Sequence, residues 1–370
     1  MIYKAFQDLQ LSQLGFGTMR LPLREDKSID EELAAAMIDA AIRQGVNYFD
    51  TAWPYHSGKS ETVIGKILQN YPRESFYLAD KFPGYDLSNM GKVQEIFEEQ
   101  LKKCGVDYFD FYLLHSLDKE NFGKCEKLGA YDFIKQKQKE GKIKYIGFSF
   151  HGTVDDLRHI VSAHDWDFAQ IQMNYLDWEN QNAKMQYQIL EDADIPTIVM
   201  EPVRGGKLAL VNNEIKDMFK SKKPIMSVAS WAMGFVASHK NIITILSGMN
   251  SEQQMLDNLS TLTNFKAFGD DEYSVCFKAA SILNKSEVIG CTGCDYCQPC
   301  PKGIKISSFF SLYNSVVSGD VNIQQGREVY DSFAVNPTAC AWCNKCKNHC
   351  PQSISVPDVL EGKVVKLFMQ

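Results

Sequence analysis

Residues 47–55 read Asn-Tyr-Phe-Asp-Thr-Ala-Trp-Pro-Tyr, a short aromatic run that reaches a carboxylate and then breaks at a proline. A run of this length and composition, bounded by turn residues, has strand character over Asn47 to Thr51. Before it lies an amphipathic stretch, Asp30 to Arg43, opened by the capping-box pattern Ser28-x-x-Glu31 and closed by Gly45. The same alternation recurs along the chain. Further strand-like runs are Gly15 to Met19, Phe76 to Lys81, Phe109 to Leu114, Tyr145 to Ser149, Ala169 to Gln172, Thr197 to Met200 and Ile242 to Leu246. A second capping box, Ser251-x-x-Gln254, opens the helical stretch Glu252 to Thr261. Eight strands, each followed by a helix within roughly 260 residues, describe an α/β fold of the (β/α)8 TIM-barrel type. The competing doubly wound sheet calls for a G-x-G-x-x-G turn after an early strand, and the sequence has none there.

In such a barrel the chemistry lies at the C-terminal ends of the strands. Asp50 ends the second strand-like run, Lys81 the third and His115 the fourth, while Tyr55 follows shortly after Asp50. Singly, each has a plain reading: an aspartate caps a turn, a lysine is solvated, a tyrosine packs. Together they converge on one mouth, where a carboxylate, an ammonium, a phenol and an imidazole form a proton-transfer set.

The segment Phe49 to Tyr55, with Ser60-Glu61 beyond it, resembles the signature of the aldo-keto reductase family. Lys81 after its strand and Asp107-Tyr-Phe-Asp-Phe-Tyr-Leu-Leu-His115 resemble the family's other signature segments. Further similarity runs through Ile146 to Ser149, Gln172 to Tyr175, Glu201 to Gly206 and Ser247 to Met249, so that it covers about residues 10 to 265. The resemblance implies an oxidoreductase that reduces an aldehyde, a ketone or a related small molecule with a nicotinamide cofactor, NAD(H) or NADP(H). It implies Tyr55 as general acid, Lys81 paired with Asp50 to lower the phenol's pKa, and His115 to orient the carbonyl oxygen. Ser149 and Gln172 then hold the carboxamide, while Ser251 and Asn258 lie where phosphate or adenine is bound. Arg204 is a further candidate for an anionic cofactor or substrate, weighed against a structural salt bridge. Four positions depart from the family pattern: Phe150 for an asparagine, Met200 for the ring-stacking aromatic, and Gly248 with Gln254 for the lysine and arginine that grip a 2′-phosphate. The last departure predicts that NADH binds at least as well as NADPH.

Eight of the 11 cysteines fall in two runs near the C-terminus. Cys291, Cys294, Cys297 and Cys300 precede Pro301, and Cys340, Cys343, Cys346 and Cys350 precede Pro351. The second run matches bacterial ferredoxin spacing; the first has two residues rather than three before its last cysteine. This resemblance implies two 4Fe-4S clusters with crossed ligation: Cys291, Cys294, Cys297 and Cys350 around one, Cys340, Cys343, Cys346 and Cys300 around the other. Zinc and disulfides are the rival readings. Four sulfurs complete a zinc site, and disulfides need an oxidising compartment. The expected organisation is a barrel over residues 1–265, then a linker helix and an α-helical, ferredoxin-like iron-sulfur domain over 266–370. Within the second part, Glu272 to Leu283 and Ile304 to Val317 read as helices, with a loop around Gly319 and Gly326. Cys104, Cys125 and Cys276 have no partner spacing and read as ordinary core or surface thiols.

At 45% hydrophobic and 23% charged, the 370 residues have an ordinary globular composition. A net charge of −7 without a basic run argues against nucleic acid as a partner. No apolar run approaches a membrane span, and the N-terminal residues lack a signal-peptide pattern, so a cytoplasmic setting is expected. Hydride transfer moves two electrons and a four-iron cluster one. A flavin, a radical-tolerant substrate or an electron-carrier protein is therefore a candidate partner. The alternative is a redox-sensing or electron-carrying binding subunit whose barrel is catalytically idle.

Overall fold

The structure is a computed structural model that describes residues 1–89 and 91–369. The chain forms two compact units: Met1–Val203 with Phe219–Phe277, and Arg204–Met218 with Lys278–Gln370.

The first unit begins with a hairpin, β1 (Tyr3–Phe6) and β2 (Leu9–Ser12), in which Tyr3 stands opposite Ser12. Then come β3 (Leu14–Gly17), β4 (Tyr48–Asp50), β5 (Tyr77–Phe82), β6 (Phe109–Leu117), β7 (Ile143–Phe150), β8 (Phe168–Gln172), β9 (Thr197–Met200) and β10 (Ile242–Ser247). Neighbours pair in parallel in chain order and β10 closes on β3, so these eight strands make a closed barrel. The β3 to β10 strands are the eight expected ones, with no end shifted by more than three residues. Register then places the functional side chains: Asp50 pairs with Ala79 across β4 and β5, and Lys81 with Leu113 across β5 and β6. Tight packing between strands explains one glycine. A Cβ on Gly147 of β7 would stand 2.5 Å from the Phe168 carbonyl oxygen of β8.

The opening hairpin was not anticipated from the sequence. Its Phe6 and Leu11 are buried in one cluster with Tyr48, Phe111, Phe168 and Ile198 of the barrel strands. Phe6 meets the Tyr145 ring edge-on at 4.9 Å. Burying a phenylalanine in this way contributes about 1.5–3 kcal/mol, which holds a short hairpin that would be marginal alone. The first long helix, Glu31–Arg43, also differs in detail. Its N-cap is Asp30, whose carboxylate accepts from the Leu33 amide at 3.1 Å, whereas the Ser28 hydroxyl donates to Asp26 instead. Aspartate is a strong N-cap and lies one residue from the helix, so it displaces the expected Ser28 box. At Gly45 (φ +92°) the chain leaves this helix as expected.

In the second unit the longer helices are Ile306–Val317 and Ile323–Ser332, and no strand occurs there among the described residues. Its apolar cluster includes Ile289, Phe309, Phe310, Tyr330 and Leu360, with Cys291, Cys297, Cys300, Cys340 and Cys346 packed against it. Gly326 lies inside a helix rather than in the loop expected there. A Cβ on it would meet the Val316 side chain at 2.6 Å, so the glycine permits the two helices to touch. No helix among the described residues is long and apolar enough to cross a membrane.

Candidate functional site

At the C-terminal mouth of the barrel, Lys81 is sealed from solvent and its Nζ lies 2.6 Å from Asp50 Oδ1 and 2.7 Å from the Thr51 carbonyl oxygen. A hydroxyl chain fixes this corner. Thr18 donates to the Asp50 carbonyl at 2.9 Å, Ser60 donates to Thr18 at 2.7 Å, and Thr51 meets Ser60 at 3.0 Å. Behind Lys81, Gln100 donates both to the Lys81 carbonyl and to the buried Glu61, and Lys103 pairs with Glu61 at 2.9 Å. The lysine therefore has little freedom to move.

The sequence reading brought Tyr55 and His115 to the same place, and the geometry agrees. Lys81 Nζ is 5.0 Å from the Tyr55 ring centroid, and the Tyr55 and His115 rings stand edge-on at 6.2 Å. After Tyr55, His56 (φ +51°) and Ser57 (φ +55°) adopt left-handed backbone, as do Ser116 (φ +58°) and Glu201 (φ +55°) at the ends of β6 and β9. Such conformations cost free energy in non-glycine residues and collect at functional sites. The ring of His56 is engaged as an acceptor for the Leu21 amide at 3.0 Å, which holds the turn carrying Tyr55.

One electrostatic expectation is overturned. Burial pushes the Tyr55 hydroxyl well above the ordinary phenol range; Asp50 and Tyr85 push the same way and Arg20 opposes. Desolvation of the phenolate thus outweighs the Arg20 cation, while the Lys81 ammonium is engaged by Asp50 and Thr51. Burial, then Lys81 and His151, holds His115 well below the usual imidazole range, so its ring is neutral. His151, just past β7, is itself lowered by burial to about 4.

The expected cofactor residues occupy distinct settings. On β7, the Ser149 hydroxyl oxygen accepts from the Ser116 amide at 2.7 Å; on β8, the Gln172 amide donates to Asp177 at 2.7 Å. Asn258 is buried and donates to Ser247 at the end of β10 at 2.9 Å. Ser251 caps its helix by accepting from the Gln254 amide at 3.3 Å, and Gln254 Oε1 accepts from the Asn250 amide at 3.0 Å. Arg204 groups with the second unit, where its guanidinium lies 3.1 Å from where a Cβ on Gly290 would stand.

Two residues escaped the sequence reading. Arg20 pairs with Glu201 at 3.0 Å, and its stem lies against Gly248, 3.2 Å from where a Cβ there would be. Tyr85 meets the His115 ring edge-on at 5.3 Å. Arg20 ends the short 3-10 turn Thr18–Arg20 after β3 and Tyr85 lies in a turn after β5, where no periodicity marks them. The only available signal was position just beyond a barrel strand.

In the second unit, none of the eight clustered cysteines is joined in a disulfide, nor are Cys104, Cys125 and Cys276, which are buried. One cavity is lined by Cys291, Cys294, Cys297 and Cys350, the other by Cys300, Cys340, Cys343 and Cys346, with Cys297 touching both. Among the described residues, no three Cys, His, Asp or Glu side chains gather closely enough to hold a single metal ion.

The sequence profile described as Aldo/keto reductase family matches residues 13–279. "Probable aldo-keto reductase 1" of Glycine max is 32% identical over 179 residues, 45% of this chain and 49% of that protein, so the chain spans about half that relative's length. The NADH-specific methylglyoxal reductase of Escherichia coli (strain K12) is 25% identical over 300 residues, 69% of this chain and 91% of the relative. Among solved structures, the holo form of aldo-keto reductase AKR11C1 from Bacillus halodurans gives a TM-score of 0.63 at 22% identity, covering 75% of this chain and 96% of that one. At that identity the likeness is one of fold.

Proposed function

This chain belongs to the aldo/keto reductase family, and on that premise we propose that its barrel is an oxidoreductase acting on a small carbonyl-type substrate. The buried Lys81–Asp50 pair beside Tyr55 and His115 carries this reading. A nicotinamide cofactor, when bound, supplies the hydride. Buried acceptors without a hydrogen bond, Asp50 Oδ2 and Glu201 Oε2, fit a mouth built to receive polar ligand groups. Tyr55 gives its proton to the carbonyl oxygen as negative charge develops there. Neutral His115 donates an N–H to the same oxygen, which is worth most in a site closed to water. Lys81, fixed by Asp50, stabilises the phenolate that remains. Ser149 and Gln172 orient the nicotinamide carboxamide, and Asn258, Ser251 and Arg20 hold the rest of the cofactor. The NADH specificity of the E. coli relative supports NADH as the better ligand.

The second part of the chain, residues 266–370, we read as a linker helix and an iron-sulfur domain. The cysteines of the two runs sort into two cavities along crossed lines, with Cys350 joining the first run and Cys300 the second. That donor set fits two 4Fe-4S clusters, which would carry single electrons. Thiolate-ligated clusters call for a reducing setting, and we read the protein as cytoplasmic. One observation favours the idle-barrel reading: burial that raises the Tyr55 pKa makes it a weaker acid. Anaerobically purified protein, assayed for NADH and NADPH oxidation against aldehydes and ketones, separates the two. Turnover that falls roughly 10²-fold or more in Tyr55→Phe supports the enzyme; cofactor binding without turnover on any substrate supports the sensor.

A further inference from the structure

Behind Lys81 lies a second buried acid that the proposed chemistry leaves unused. Successive side chains of a strand point to opposite faces. On β5, Lys81 turns to Asp50 at the mouth, while Asp80 turns outward to the helices Ser60–Leu68 and Val93–Cys104. There Asp80 hydrogen-bonds to Glu61, and both carboxyls are fully buried. Asp80 Oδ1 accepts from the Lys81 amide at 2.8 Å, and the Cys104 thiol lies 3.9 Å from Oδ2. Glu61 Oε1 accepts from Gln100 at 3.0 Å and Oε2 from Lys103 at 2.9 Å. Tyr112 donates to Gln100 Oε1 at 2.6 Å, which turns the Gln100 amide nitrogen toward Glu61 and the Lys81 carbonyl oxygen.

Two carboxyls in hydrogen-bond contact need a proton between them, because ionised carboxylates only accept. The neighbouring charges point the same way. Lys103 answers Glu61, whereas the Lys81 ammonium is committed to Asp50 and the Thr51 carbonyl. Cys104 and Tyr112 stay neutral, since burial holds both well above their ordinary ranges. Burial, then the Glu61 charge, likewise pushes the Asp80 carboxyl well up, while for Glu61 the rise from burial is opposed first by Lys103. The proton therefore belongs to Asp80. Its consequence falls on Lys81, whose peptide N–H is held by Asp80 and whose C=O is held by Gln100 in the same network.

We infer that Asp80 and Glu61 share a single proton, and that neutral Asp80 is a positioning residue holding the Lys81 peptide where its ammonium stabilises the Tyr55 phenolate. The inference rests on the oxidoreductase reading of the barrel. A protonated Asp80 donates to Glu61 and accepts from the Lys81 amide at once, which a carboxylate does not do. It also keeps a second negative charge away from the ammonium; an ionised Asp80 would compete with the phenolate for the field of Lys81. A merely structural pair would stabilise the fold without setting turnover, and the two roles separate experimentally.

The test compares the full-length protein with Asp80→Asn, which keeps an acceptor for the Lys81 amide and a donor for Glu61, and with Asp80→Leu, which keeps neither. At neutral pH, infrared spectra in H2O and D2O should show a band of a buried protonated carboxyl in wild type that is lost from both variants. With a carbonyl substrate, kcat of Asp80→Leu should fall about tenfold, as for a displaced reacting group, with KM and cofactor Kd within about twofold of wild type. Asp80→Asn should recover most of that loss. A wild-type spectrum without the band, or a band that survives in Asp80→Asn, would overturn the shared proton. Asp80→Leu with wild-type kcat, or Asp80→Asn as slow as Asp80→Leu, would overturn the positioning role. If Asp80→Leu does not fold, Asp80→Asn decides alone: a tenfold loss of kcat there shows that Lys81 needs a charged Asp80. A wild type that binds NADH and turns over no carbonyl overturns the proposed function instead, and the infrared band then still decides the proton.

Discussion

The Lys81 ammonium lies 2.6 Å from the Asp50 carboxylate, with both side chains shut away from solvent at the mouth of the barrel. Burial pushes the Asp50 pKa up, and the Lys81 charge and hydrogen bond oppose that shift. Two buried charges of this kind are tolerated because each answers the other. Removing one leaves the other desolvated and alone.

Breaking the pair should therefore cost more than its net worth. Asp50→Ala or Lys81→Met singly is expected to destabilise the fold by about 3–5 kcal/mol, and the double change Asp50→Ala with Lys81→Met to cost distinctly less than the sum. Urea unfolding of the four proteins measures this. Additive losses would show that the ion pair is not the reason the two residues depend on each other.

His115 provides a pH signature. Its folded pKa lies well below that of the unfolded chain, so the unfolded state binds the proton first as pH falls. The His115 contribution is thus constant above about pH 6.5 and is lost as pH drops from there toward the folded pKa, at up to about 1.4 kcal/mol per unit. The destabilisation produced by His115→Gln at pH 7.5 should accordingly shrink at pH 5.5. A difference that stays constant across this range would mean that His115 is solvated or charged in the folded protein.

Much of this architecture was legible because it is local. The eight barrel strands show as short apolar runs between helical stretches, and the cysteine runs show as spacing. What escaped depends on contacts distant in sequence. The hairpin of Phe6 and Leu11 is held by Phe111 and Phe168, and Gly326 is helical because Val316 presses against it. Arg20 reaches the mouth by pairing with Glu201, 181 residues away, which no spacing rule reveals. The direction of the Tyr55 shift failed for a similar reason. Residue types name a cation and a phenol, but only the packed structure shows that burial outweighs the cation.

Cofactor choice can be redirected at one exposed position. Gln254 stands where the resemblance places an arginine for the 2′-phosphate, and its side chain is exposed with only the Asn250 amide as a hydrogen-bond donor to Oε1. Wild type should bind NADH at least as well as NADPH. Gln254→Arg should shift the NADPH-to-NADH affinity ratio about tenfold toward NADPH, since a charge-assisted contact of about 1.4 kcal/mol suffices. Gly248→Lys is the poorer choice, because its Cβ would crowd Arg20 at 3.2 Å. Fluorescence titration of both cofactors at fixed low salt gives the ratio, and an unchanged ratio would place the 2′-phosphate away from this helix.

Crossed cluster ligation makes a prediction that counting iron can decide. If Cys294 and Cys350 serve one cluster, as the shared cavity suggests, then Cys350→Ala should reduce iron from about eight to about four atoms per chain. Adding Cys294→Ala should cause no further loss, because the second change strikes a cluster already gone. Pairing Cys350→Ala with Cys300→Ala should instead strike both clusters and leave the protein nearly iron-free, since Cys300 lines the other cavity. Ligation within each run predicts the opposite for the first pair, because Cys294 and Cys350 then belong to different clusters and their double change removes nearly all iron. Iron and acid-labile sulfide determined on the same anaerobic samples distinguish the two patterns, with the far-ultraviolet spectrum confirming that the barrel remains folded in each variant.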